Sequence, residues 1–178
     1  MVVDIVDYRP EWPGAFETER KRLMDAIGTV ATQIEHVGST AVPGLAAKPV
    51  IDIMPGVLSM AVVDQEELVA AMVGLGYVYR NDLEAAMPYR RYFTLGDNNA
   101  QHWKGHLVHA HLVEIESKFW VRHLAFRDYL RAHPDERDNY GAFKQRIAPN
   151  FTDEGDYSQA KHEFIQAMQA RALAWESQ

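Results

Sequence analysis

At 178 residues, with 47% hydrophobic residues and no cysteine, the chain has the make-up of one globular α+β domain spanning residues 1–178. The missing cysteine excludes thiolate catalysis, cysteine-ligated zinc and disulfide frameworks. A formal net charge of −7 disfavours binding along extended DNA or RNA, which relies on clustered Lys and Arg.

In chain order, the first predicted element is an amphipathic helix from Glu11 to Ile27. Pro13 sits in its first turn, Gly28 stops it, and Phe16, Leu23 and Ile27 form an apolar stripe. Val30 to Val37 reads as a strand, followed by the turn-rich loop Gly38-Ser-Thr-Ala-Val-Pro-Gly44. Val50 to Met54, bounded by Pro49 and Pro55, reads as a short buried strand. Asp64-Gln-Glu-Glu67 resembles a capping box and opens a helix ending near Gly74 or Gly76. Strands are predicted at Tyr77–Tyr79, Tyr89–Leu95 and Leu107–Ile115, with Gly96-Asp-Asn-Asn99 as a turn. From Ser117 onward the pattern is helical, with helices expected over Ser117–Ala132, Asp135–Ile147 and Asp153–Trp175. The expected architecture is a small mixed or antiparallel sheet packed with helices, with a helical C-terminal part over about 117–178.

The loop and the strand after it carry the most chemistry. Gly38 has no Cβ, so backbone N–H groups there can approach phosphate oxygens, and the Ser39 and Thr40 hydroxyls add donors. Asp52 interrupts an otherwise apolar strand, where an unpaired carboxylate is costly; facing the same cavity, it can hold Mg²⁺. Lys48 adds a cation four residues earlier. The plainer alternative is a surface loop followed by a strand acid that caps a neighbour.

The stretch Glu35-His-Val-Gly-Ser39 through Lys48-Pro-Val-Ile-Asp52-Ile53 resembles the signature of the GrpB (glutamate-rich protein B) family. Further pieces are similar to the same family: Arg90-Arg-Tyr-Phe93, His109-Ala-His111-Leu-Val-Glu114, Phe126-Arg-Asp-Tyr-Leu130, and Tyr157 followed four residues later by Lys161. That family resembles the nucleotidyltransferase superfamily, whose mark is Gly-Ser, a spacer, then two strand acids two residues apart. The resemblance implies a nucleotidyltransferase-like fold, a nucleotide or other phosphorylated small molecule as partner, and divalent-metal-dependent nucleotidyl or phosphoryl transfer. A similar domain is fused to dephospho-CoA kinase in some bacteria. Here Met54 stands where the second acid belongs, and a thioether is a poor ligand for Mg²⁺. A second outcome therefore stands beside the first: a catalytically inactive descendant that senses a ligand or serves as an interaction module.

His109 and His111 lie two apart on a predicted strand and share a face. Converging with Asp52, they would form a two-His-one-carboxylate set suited to Fe²⁺, Mn²⁺ or Zn²⁺; they could equally contact phosphate or handle protons. His102 and His106 read as surface loop residues. Arg90 and Arg91 point to opposite faces, so at most one reaches the pocket and contacts phosphate. Glu35 and His36 also face opposite ways, and one of them is a candidate site member. Tyr157 and Lys161 share a helix face, as a nucleobase or phosphate contact or as a solvated pair. Trp120, Leu124 and Leu130, and Tyr157, Phe164 and Met168, recur at core-building spacings. No apolar run approaches the roughly 20 residues of a membrane span. The first residues lack a basic, then apolar, leader, so a cytoplasmic location is expected.

Overall fold

The computed structural model describes residues 3–62, 65–96, 107–152 and 154–176. The expected Asp64 cap, the turn residues 97–99, His102, His106 and Asp153 lie outside the described residues.

The first helix, α1, runs Trp12–Ile27 with Pro13 in its first turn, and β1 follows at Ala31–Val37. Next come β2 (Val50–Val57), α2 (Gln65–Gly74), β3 (Val78–Tyr79), β4 (Arg90–Leu95) and β5 (Leu107–Glu114). The C-terminal part is helical: α3 (Lys118–Ala132), α4 (Pro134–Ile147), α5 (Glu154–Ala160) and α6 (His162–Glu176). The Ser117 side chain caps α3 by accepting from the Trp120 N–H at 3.2 Å.

The described strands form one mixed sheet in the order β1-β2-β5-β4-β3; β2 and β5 run parallel and the other neighbours antiparallel. Alternation along the strands divides its two faces. Ile51, Ile53, Phe93, Ala110 and Leu112 point to one face, where they pack with Trp12, Phe16, Leu23 and Ile27 of α1 and with Leu68 and Met72 of α2. Each fully buried aliphatic side chain there contributes about 1.5–3 kcal/mol. On the opposite face, Val37, Met54 and Val113 pack against Phe119 and Trp120 of α3. A further core joins the loop residues Val42 and Leu45 to Leu130, Tyr140, Met168 and Ala172 of the C-terminal helices. Among the described residues no helix is long and apolar enough to cross a membrane.

Two boundaries differ from expectation. Strand β2 does not stop at Met54 but continues through Pro55 and Gly56 to Val57. Pro55 has no N–H to give the ladder, yet pairing with β5, seen at Ile53–Ala110, resumes at Gly56–Val113. Gly56 lets α3 close down on the strand, because a Cβ there would lie 2.6 Å from the Trp120 ring. The final helix is divided as well, with Lys161 at the joint between α5 and α6. The two segments bury different partners: Tyr157 packs with Val3 and Ala148, while Met168 and Ala172 pack with α3 and α4 residues.

Candidate functional site

Strand register builds one wall of the site. Asp52 pairs with His109 across the parallel β2–β5 junction, and His111 pairs with Tyr92 across β5–β4. Odd–even alternation then puts Asp52, His109, His111 and Tyr92 on the face opposite the α1–α2 core. Asp52 Oδ1 lies 3.7 Å from His109 Nδ1 and 3.6 Å from His111 Nε2. The His111 ring stacks on Tyr92 at 4.9 Å, and His109 meets the same ring edge-on at 5.6 Å. Burial pushes the Asp52 carboxyl up, but the hydrogen bond from His111 and the charges of His109, His111 and Lys48 outweigh it and hold the carboxyl below its ordinary value.

The loop after β1 forms the rim. Gly38 takes φ 71°, in the left-handed region, and a Cβ on it would fall 2.3 Å from Asp52 Oδ2. Its glycine is thus required to let the carboxylate lie against the loop, and Gly38 itself stands behind Asp52 rather than on the cavity wall. Ser39 and Thr40 open a 3₁₀ turn. The Thr40 hydroxyl donates to Val50 O at 3.0 Å, so it accepts from His36 Nε2 at 3.1 Å. His36 is stacked on Phe16 at 4.6 Å and is held neutral, its pKa lowered to about 4 chiefly by burial, against the pull of Asp52 and with help from Arg131 and Arg127. Glu35 pairs with Arg127 at 2.6 Å. Neither Glu35 nor His36 lines the cavity that holds Asp52.

Three arginines hold this loop from behind. Arg127 donates to His36 O at 3.1 Å, Arg131 donates twice to Ala41 O at 3.0 and 2.8 Å, and Arg137 donates to Pro43 O at 3.2 Å. Arg131 and Arg137 therefore clamp the loop itself, while Arg127, in the Phe126–Leu130 segment, holds the end of β1 that leads into it.

The helices supply the other wall. The cavity, about 570 Å³, is lined by Ser39, Thr40, Lys48, Asp52, His109 and His111 from the sheet and loop side, and by Lys144, Tyr157 and Lys161 from the helical side. Lys144 of α4 is 2% exposed, and its Nζ donates to Ser39 Oγ at 2.8 Å. Lys161 Nζ sits 4.2 Å over the Tyr157 ring. Arg80, which holds Asp82 through two 3.1 Å contacts, reaches the same cavity. Lys48, Arg80, Lys144 and Lys161 thus face a single carboxylate, Asp52, among the described lining residues. A larger hollow of about 740 Å³ lies by α3, but Tyr89, Phe119, Val121 and Leu173 make it mainly apolar, so the chemistry points to the smaller cavity.

Arg90 and Arg91 do face opposite ways, and neither lines the cavity. Arg91 points to the far face and pairs with Glu84 at 3.0 Å. Arg90 is buried behind the histidines, 4.5 Å over the Tyr92 ring, with Nη1 3.0 Å from His111 Nδ1. A guanidinium only donates, so His111 Nδ1 is the acceptor and its ring proton sits on Nε2, toward Asp52.

That proton bears on a metal ion. His111 presents an N–H where a ligand would need a lone pair, and Met54, at the second-acid position, is fully buried among Val37, Phe119 and Trp120. Among the described residues no group of three His, Asp or Glu side chains is arranged to hold a metal ion. As placed, His111 would have to release that proton before it could ligate a divalent ion beside Asp52.

Sequence reasoning missed Lys144 and Arg80. Lys144 carried a usable signal, a charge one turn after Tyr140 on the stripe of α4 that Tyr140 and Gly141 bury. Arg80 carried none.

The family model for GrpB protein matches residues 2–171. The chain is 36% identical to the UPF0157 protein YqkA of Bacillus subtilis, over 97% of this chain and 48% of that protein, so it spans about half of that relative's length. It is 32% identical to a dephospho-CoA kinase of Mycolicibacterium paratuberculosis, over 97% of this chain and 46% of the kinase. Its fold superposes on the crystal structure of the conserved protein GrpB from Enterococcus faecalis with a TM-score of 0.82 and 30% identity, covering 98% of this chain and all of that one.

Proposed function

This chain belongs to the GrpB protein family, and on that footing we propose that its cavity binds a nucleotide or another phosphorylated small molecule. One observation carries the reading. In a protein of net charge −7, four basic side chains, one of them the buried Lys144, converge on one cavity that holds a single described carboxylate. Phosphate oxygens satisfy such donors through charge-assisted hydrogen bonds, and 570 Å³ suits a small-molecule ligand. Ser39, Lys48 and Lys161 would contact phosphate, and Tyr92 would offer aromatic surface.

The burial of Met54 favours ligand sensing over group transfer, because no second carboxylate completes a two-metal clamp. Nucleotidyl or phosphoryl transfer is the step that likeness to nucleotidyltransferases implies, and Met54 stands where such transfer uses its second carboxylate.

The test is a thermal-shift panel of nucleotides, dephospho-CoA and inorganic phosphate, each with and without Mg²⁺, Mn²⁺ and Zn²⁺. Dephospho-CoA enters because of the kinase relative. A true ligand at 100 times its Kd stabilises the fold by about 2.7 kcal/mol, without any metal, and Ser39→Ala and Lys48→Ala weaken that effect. A panel with no shift would turn the assignment to a protein-interaction module; a shift that appears only with a divalent ion would restore metal-dependent transfer.

A further inference from the structure

The helical wall holds two buried polar groups whose hydrogen bonding is unfinished. The Tyr157 side chain is fully buried and lines the cavity, yet among the described residues its hydroxyl has no hydrogen-bond partner. The Lys144 amine donates one hydrogen bond, to Ser39 Oγ at 2.8 Å, and among the described residues no carboxylate forms a salt bridge with it. Ser39 in turn is hydrogen-bonded to the Tyr140 side chain. The Lys144 amine and the Tyr157 hydroxyl are thus left with unused hydrogen-bonding capacity, an arrangement that is costly when buried and usually answered by a bound group.

We infer that Lys144, Ser39 and Tyr157 form a seat for the terminal phosphate of a polyphosphate or phosphate monoester. Proton uptake by Lys144 as the phosphate arrives is a consequence of that seat. This inference rests on the cavity being a phosphate site at all.

The surroundings of the amine explain the proton. Burial first, and then the charge of Lys161 at the α5–α6 joint, hold Lys144 well below its ordinary value, while Asp52 on β2 pulls the other way. Tyr140 one turn earlier on α4, whose ring lies 4.5 Å from Nζ, and Tyr157 from α5 also titrate nearby; burial raises both phenols, that of Tyr157 to about 12, so they stay neutral. An arriving phosphate supplies a counter-charge that favours the ammonium form of Lys144. Binding is thereby linked to proton uptake.

Isothermal titration of ATP, dephospho-CoA and inorganic tripolyphosphate, without metal, tests this at pH 8.5 in two buffers of different ionisation enthalpy. That pH lies above the ordinary titration range of imidazole and terminal phosphate. Wild type is expected to take up about one proton per ligand. Lys144→Met should lose about tenfold or more in affinity together with the proton uptake, as expected for removing a charged donor. Tyr157→Phe, which removes only the orphan hydroxyl, should lose about threefold to tenfold in affinity and keep the uptake. Binding with no proton uptake, unchanged in both variants, overturns the seat and leaves the cavity reading standing. Failure of wild type to bind any of the three probes overturns both.

Discussion

On the sheet side of the cavity, Asp52, His109 and His111 are fixed by pairing between adjacent strands, with Asp52 opposite His109 and His111 opposite Tyr92. On the helical side, Lys144 meets Ser39 from 105 residues further along the chain and is placed only by the packing of α4. Backbone pairing sets side-chain direction whatever the side chain is, so the sheet wall tolerates chemical change without losing its shape. The helical wall has no such ladder. There the polar groups are part of the packing, and a buried lysine and tyrosine with unfinished hydrogen bonding sit at a cost to stability.

The sharpest way to break the sheet wall is at Gly38, the point where backbone and site chemistry meet. Gly38→Ala puts a Cβ 2.3 Å from Asp52 Oδ2 and asks alanine to hold φ 71°. A loss of about 3 kcal/mol is expected from strain plus overpacking, read by urea denaturation. The substitution should also lower affinity for any phosphorylated ligand, since Asp52 and Ser39 move together.

Acid provides a second, slightly smaller perturbation. His36, beneath the loop, refuses a proton until about pH 4, whereas the unfolded chain accepts one near pH 6.5. The unfolded state therefore binds more protons throughout that window, and stability falls as pH drops from about 6.5 to 4, by up to about 3 kcal/mol for this residue. Above 6.5 the contribution is complete. His123 of α3, lowered to about 4 first by burial, acts with the same sign. Urea melts at successive pH values should show the slope, flattened in His36→Gln.

Lys144→Met sharpens the comparison from the helical side, with the opposite sign to most core changes. Native Lys144 is held below its ordinary value while the unfolded chain carries the full charge, so the wild-type residue costs stability at neutral pH and costs less as pH rises toward about 10. The variant is expected to gain about 1–2 kcal/mol at pH 7, a gain that shrinks in alkali. A Tm that falls instead would mean the amine is well satisfied in the free protein. The smallest effect is expected at Arg91, which pairs with Glu84 on the far face of the sheet. Arg91→Ala should change stability by less than about 1 kcal/mol and leave ligand binding unaltered.

The same contrast explains what the sequence disclosed. Period-two alternation was enough to place His109 and His111 together and to separate Arg90 from Arg91, because strand geometry leaves few choices. It could not reveal that Arg90 stops behind His111 and fixes its tautomer, which depends on which element covers that face. Pro55 looked like a strand end because its missing N–H is local information, whereas the resumed pairing at Gly56–Val113 is not. Tyr157 and Lys161 were visible as a helical pair, but the joint that splits α5 from α6 at Lys161 has no glycine or proline to announce it. Lys144 was legible only as an oddity, a charge on a buried stripe, and its meeting with Ser39 is a fact of tertiary packing.

The arginine clamp has a bearing on the order in which the molecule comes together. Arg127 reaches Glu35 across 92 residues, and Arg131 reaches Ala41 across 90. Closing such long loops is slow relative to forming helices and hairpins. The strand that carries Asp52 can therefore be in place before the segment beside it has a fixed path, and that path is set only when α3 and α4 dock. Run in reverse, loosening of the C-terminal helices frees residues 38–43 while the central strands persist. Amide exchange would then rank the loop with α4, and not with β1 and β2, its neighbours in sequence.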